Sequence, residues 1–172
     1  GAAYAACVLG VDEPSVGLLS NGTEEHKGSA FTRSCYPLMA EHVPGFAGNC
    51  EGGDITSGSV DVVVCDGFDG NIALKSIEGA AKFMMGELKA GMTANLKGKV
   101  AALLMRNMLR ALKHKLSGDA KGGAILLGLR GVVMIGHGAT SVEAVKNGTL
   151  ACAEAVRACL VERVRESMGL EA

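Results

Sequence analysis

The chain has no tryptophan, two tyrosines, four phenylalanines and three prolines in 172 residues. That scarcity excludes an aromatic platform for stacking bases or sugars, and a proline-rich linker. No apolar run reaches the roughly 18 residues that a spanning helix needs, and no signal-peptide pattern is present. Neither sign of charge dominates. Seventeen basic residues meet 18 acidic ones for a net charge of −1, so bulk nucleic-acid binding is not expected. The six cysteines, Cys7, Cys35, Cys50, Cys65, Cys152 and Cys159, form no CxxC pair and match no zinc spacing. Most sit among apolar or alanine-rich neighbours, which suits reduced, cytoplasmic packing thiols. No histidine–carboxylate cluster has metal-ligand spacing, so no metal site is expected. An initiator methionine is also missing. Gly1-Ala2-Ala3-Tyr4 opens inside a helical pattern and reads as a fragment or a processed start.

Glycine is what the chain has in excess, 25 residues or about 15%, roughly twice the usual share. It shows no collagen period. Much of it falls in loops that follow short apolar runs. Ser15–Leu19, Phe46–Gly48, Val60–Cys65 and Val132–Ile135 read as strands. The run VDVVVC at 60–65 is nearly continuous and β-branched, as in parallel strands covered on both faces. Helical patterns are expected at 2–9, 29–41, 72–92, 96–116 and 141–168, with a loop at 118–123. Strand, glycine loop and helix alternate at least three times, which predicts an α/β fold with a parallel sheet and ligands at the carboxyl ends of its strands.

Residues 88–118 stand apart. Lys89, Lys97, Lys99, Arg106, Arg110, Lys113 and Lys115 are unaccompanied by any acid. On one continuous helix, Lys99, Arg106, Arg110 and Lys113 form a stripe opposite Val100, Leu104, Met108 and Leu112. Such a basic amphipathic helix suits a dimer interface, an anionic membrane surface or an acidic partner protein.

Three loops can carry chemistry: Gly17–Gly28, Gly48–Ile55 and Asp66–Gly79. Glycines let backbone N–H groups approach an anion, and a following helix N-terminus adds its dipole. Lys27 and Lys75 are the compensating cations. Neither GxxxxGK[ST] nor GxGxxG occurs, and no GxSxG elbow marks a serine nucleophile. The same residues also have plainer readings. The glycines serve turns, Asp66 and Asp69 cap a helix, and Lys75 is solvated. His137 follows a strand and precedes Gly138, a position for a functional or a merely exposed histidine.

Taken in order, GLLSNGTEEHKG, GNCEGGDI, VDVVVCDGFDGNIALKSIEG, GGAILLG and His137-Gly138 resemble the C-terminal half of the bacterial acyl-carrier-protein:phosphate acyltransferases of phospholipid synthesis. The likeness runs from about Ser15 to about Asn147, and residues 60–79 are its most specific part. Ser20, Thr23 and Ala139-Thr140 depart from the usual family residues. The resemblance implies a three-layer parallel-type sheet, similar to phosphotransacetylases and isocitrate- or isopropylmalate-dehydrogenase-like enzymes. It implies a helical pair at 72–116 serving dimerisation and membrane contact. Residues 1–172 would then be one part of a catalytic domain whose N-terminal half is absent.

The implied reaction moves a fatty acyl group from acyl-ACP to inorganic phosphate. The acyl phosphate would feed a glycerol-3-phosphate acyltransferase, and the enzyme would be a homodimer in the cytoplasm, held peripherally at the membrane. On this reading Lys27 and Lys75 bind phosphate with Glu51 and the backbone near Gly67 and Gly70. Asn49 and Asn71 are candidate oxyanion donors, Asp66 orients Lys75 or caps its helix, and His137 acts on the departing thiolate. A single displacement is expected, without an acyl-cysteine. The alternatives are a short-chain phosphotransacetylase, disfavoured by residues 60–71 and the basic helices, and a non-catalytic, dimerising phosphate-binding half-chain. A dehydrogenase lacks its nucleotide fingerprint and its metal-binding aspartates here.

Overall fold

A computed structural model describes residues 1–115, 122–136 and 141–170. They divide into two compact units. The first gathers Gly1–Gly70, Ile125–Val133 and the chain from Cys152; the second holds Asn71–Ala124 and Met134–Ala151.

The first unit is built on a parallel sheet. Strands β1 (Val16–Leu19), β2 (Phe46–Cys50) and β3 (Val62–Val64) lie in the order β2-β1-β3. β1 runs parallel to both neighbours, pairing Val16 with Phe46 on one side and with Val62 on the other. As the central strand it is buried along Val16, Gly17 and Leu18, with Val16 and Leu18 only 2% and 4% exposed. This is what a continuous apolar run anticipates. Gly17 lies where the β1–β2 register shifts, and a Cβ there would sit 2.8 Å from the Cys50 sulfur.

Helix α2 (Ala30–His42) connects β1 to β2. Ser29 caps it, accepting from the Thr32 N–H at 3.1 Å. Tyr36 of α2 meets Phe46 of β2 edge-to-face, centroids 5.2 Å apart. Elsewhere in this unit α1 (Ala2–Cys7) packs on α8 (Leu160–Ser167), burying Ala5 and Leu160. A one-turn helix, α3 (Asp54–Ser57), precedes β3.

Helix α4 (Gly67–Thr93) leaves the first unit at Gly70 and supplies the second with most of its length. α5 (Leu96–Leu104) is capped by Asn95, whose side-chain oxygen accepts from the Gly98 N–H at 2.8 Å. α6 (Arg106–Lys115) follows directly. β4 (Ala124–Leu126) and β5 (Val133–Ile135) form a two-stranded sheet, and α7 (Val142–Arg157) closes the order before α8.

The sequence expectations need four corrections. The helix expected from Ile72 begins at Gly67, because Asp66 caps it. The helix expected over 96–116 breaks at Met105, so Lys99 lies on a different helix from Arg106, Arg110 and Lys113. The closing helix breaks at Ala158–Cys159, where Cys159 takes a left-handed φ of 51°. Helix α3 and strand β4 were not anticipated. Residues 118–121 of the expected loop lie outside the described residues.

Candidate functional site

Because β1, β2 and β3 are parallel, the loops that follow them leave the sheet at the same edge. These are the three loops that the sequence marks. The first, Ser20–Gly28, is braced internally. The Asn21 side-chain oxygen accepts from the Gly28 N–H at 2.8 Å, and Arg33 donates to the Gly28 carbonyl at 2.8 Å. Gly28 has φ +99°, and a Cβ there would press on Thr32 and the Ser20 hydroxyl. Lys27 is half-buried beside Gly22 and forms no ion pair among the described residues.

The second loop follows Asn49 and Cys50. Asn49 is buried, 8% exposed, and its Nδ2 donates to the Glu24 carbonyl of the first loop at 2.7 Å. Its Oδ1 and the Ser20 Oγ are buried and have no hydrogen-bond partner among the described residues. Buried polar atoms are nearly always paired, so two orphans on adjoining strand ends are places for a water or a ligand polar group. The Glu51 side chain is exposed, and the Glu51 N–H donates to the Asp54 carboxylate at 2.7 Å. That bond and one from the Ser59 hydroxyl hold the Asp54 carboxyl below its ordinary range.

In the third loop the Asp66 Oδ1 accepts from the N–H groups of Phe68 and Asp69, at 2.9 and 2.7 Å. Two donors of the first turn of α4, which the sequence reading assigned to phosphate, are therefore satisfied by Asp66. Gly67 heads the helix with open space around it. Gly70 allows the Cys65 sulfur a close approach, 2.8 Å from where its Cβ would stand. Asn71 and Lys75 follow on the part of α4 that belongs to the second unit. Lys75 is exposed and its Nζ pairs with Glu78 at 3.0 Å. His137 lies outside the described residues.

Neither thiol beside the loops is primed as a nucleophile. Burial, then Asp54 and Cys65, pushes the Cys50 thiol above its ordinary value. Partial burial, then Asp66 and Asp69, does the same for Cys65. Both are thiols rather than thiolates near neutral pH.

Two features of this unit had no direct signal in the sequence. One is a cavity of about 420 Å³ between α2 and the ends of β1 and β3, lined by Leu18, Leu19, Leu38, Met39 and Val64, with Asp66 among the few polar groups. The other is a clasp at the opposite edge of the sheet. Ser15 donates to the Asp61 carboxylate through both its N–H and its hydroxyl, at 2.9 and 2.7 Å, and the Asp61 N–H donates back to the Ser15 hydroxyl at 3.0 Å.

A parallel sheet that gathers polar loops and an apolar cavity at its carboxyl edge defines an α/β protein with its candidate ligand site at that edge. The family model described as "Fatty acid synthesis protein" matches residues 1–163, and the chain belongs to that family. It is 45% identical over 169 residues to the Phosphate acyltransferase of Desulforudis audaxviator, covering 98% of this chain and 50% of that protein. The Phosphate acyltransferase of Acidobacterium capsulatum is 46% identical over 154 residues, covering 90% and 46%. That of Brevibacillus brevis is 40% identical over 168 residues, covering 98% and 50%. The chain thus spans about half the length of the curated relatives it matches.

Proposed function

We propose that the chain takes part in transfer of a fatty acyl group from acyl-ACP to inorganic phosphate, giving acyl phosphate for phospholipid synthesis. The observation that carries this reading is family membership, with relatives named Phosphate acyltransferase, joined to polar loops at the carboxyl edge of a parallel sheet. A phosphate oxygen attacks the thioester carbonyl, the tetrahedral oxyanion collapses, and the C–S bond breaks. The proton carried by hydrogen phosphate ends on the departing thiol. Such a reaction asks for positioning and oxyanion stabilisation rather than a strong base. In the first unit, Lys27 supplies charge to the phosphate, and Ser20 and Asn49 supply polar contacts. In the second, Lys75 is a further phosphate cation and Asn71 a further donor. Raised thiol pKa values at Cys50 and Cys65 favour single displacement over an acyl-cysteine.

The reading extends to a doubly covered, three-layer sheet of the phosphotransacetylase or isocitrate-dehydrogenase-like kind. It also extends to a cytoplasmic homodimer and a downstream glycerol-3-phosphate acyltransferase. The second unit supports the interface role of residues 72–116, since Phe83, Met84, Leu103 and Leu104 are all more than two-thirds exposed. Among the described residues no helix is long and apolar enough to cross a membrane. The contact proposed for residues 88–118 is a peripheral one.

The test is release of acyl phosphate from acyl-ACP and phosphate, by this chain and by a chain of the relatives' full length. Lys27→Ala and Lys75→Ala in the active form each raise the KM for phosphate about tenfold or more, the worth of a charge-assisted hydrogen bond. Unchanged phosphate kinetics would remove that lysine from the site. Because the chain covers about half of its relatives, a second reading is a dimerising, phosphate-binding module, and phosphate binding without turnover by either form selects it.

A further inference from the structure

We infer that the cavity between α2 and the ends of β1 and β3 is the slot for the alkyl chain of an acyl ligand. Its position comes from the strand order. After β1 the chain crosses to β2 on one side, and β3 returns to the other side of β1. The gap between the carboxyl ends of β1 and β3 is thus a topological switch point, where open parallel sheets bind their ligands. The cavity lies there, with Leu18 and Leu19 from β1 and Val64 and Cys65 at the end of β3.

The occupant follows from size and charge. The walls are mainly apolar, supplied by Phe31, Leu38 and Met39 of α2 together with Leu18, Leu19 and Val64 of the strands. The titratable side chains facing the cavity include the carboxylates of Asp66 and Asp69, with His42 and the thiols of Cys35 and Cys65, and no lysine or arginine. An anion such as phosphate would meet two negative charges and no cation. A hydrocarbon carries no charge for them to repel. About 420 Å³ has room for roughly a dozen groups of water-molecule size, the order of a medium-length alkyl chain. The inference rests on the acyl-transfer reading for the kind of chain involved, and on the cavity for its place.

Cys35 and Cys65 line the cavity, whereas the exposed Cys159 does not, so the protein carries its own reporter and its own control. Maleimide labelling of this chain, followed by peptide mass spectrometry, is measured with butyl, octyl and dodecyl phosphonate. Dodecyl phosphonate should slow labelling of Cys35 and Cys65 at least fivefold and leave Cys159 unchanged. The concentration required should fall about fourfold per added methylene until the slot is full. Leu38→Glu, at a position 58% exposed that tolerates a polar side chain, should abolish the protection while circular dichroism stays native. Should that variant misfold, Cys35→Phe, which fills the slot, should lose dodecyl protection instead. Equal protection at Cys159, no dependence on chain length, or no protection by dodecyl phosphonate would overturn the assignment. Acyl phosphate formation without protection also overturns the slot and leaves the transferase reading intact. Protection without acyl phosphate formation upholds the slot and sinks the transferase reading.

Discussion

Asp61 ties the start of β3 to the start of β1 through Ser15. Its carboxylate accepts two hydrogen bonds from Ser15, the hydroxyl first and then the N–H, and both hold its carboxyl below the ordinary range. Asp54 is depressed in the same direction. A carboxylate with a lowered folded pKa stabilises the fold above its unfolded pKa, near 3.9, and that contribution disappears as pH falls through the folded value. Denaturation midpoints should therefore be flat near neutrality and drop below about pH 4. Asp61→Asn should lower the neutral midpoint and flatten the acid limb, and an acid limb identical to wild type would dismiss the clasp as a stabilising element. At Cys65 the expectation concerns chemistry instead. A thiol whose pKa is raised by partial desolvation and two carboxylates makes a poor attacking group, so Cys65→Ala should retain acyl transfer to within about threefold. Trapping of an acyl-Cys65 species by mass spectrometry would show the opposite mechanism.

Among the elements, α4, α5 and α6 follow one another with many apolar side chains uncovered. α4 and α5 bury no residue, and on α5 Leu103 and Leu104 are 69% and 81% exposed. Exposed apolar faces mark interaction surfaces, and a second copy or lipid is the proposed cover here. Lys97 and Lys99 on α5 and Arg106 and Arg110 on α6 add positive charge beside them, so an anionic vesicle is the matching surface. Liposome flotation with phosphatidylglycerol vesicles should fall severalfold when Leu103 and Leu104 are both made Ser. Undiminished flotation with a loss of dimer on sizing would assign the face to a partner copy instead. The break at Met105 was not legible, because neither glycine nor proline punctuates residues 99–110. The break at Cys159 was hidden for the same reason. The early start of α4 was obscured by the low helix propensity of Gly67 and Gly70. The aspartate cap and the approach of the Cys65 sulfur, both tertiary facts, override that propensity.

At the scale of the molecule, the parallel α/β class and the three strand-end loops could be read from the chain. β-branched runs, turn residues and the motif at 60–79 are local signals, and the family match agrees with them. The apolar cavity could not be read, because it depends on strand order. Nothing local in Leu18, Leu38 and Val64 says that β3 returns to the far side of β1 and leaves a gap under α2. The clasp between Ser15 and Asp61 was equally invisible, joining residues 46 positions apart. Its effect reaches the far end of the strands. Val16 faces Val62 and Leu18 faces Val64 in the register that the clasp accompanies, together with backbone bonds from Asp61 and Val62 to the Ser15 carbonyl. A slip of one residue would turn Val64 out of the cavity and bring in a side chain from the opposite face of the sheet. A polar knot at one edge of β1 and β3 thus acts as a ruler for the hydrocarbon-lined opening at the other.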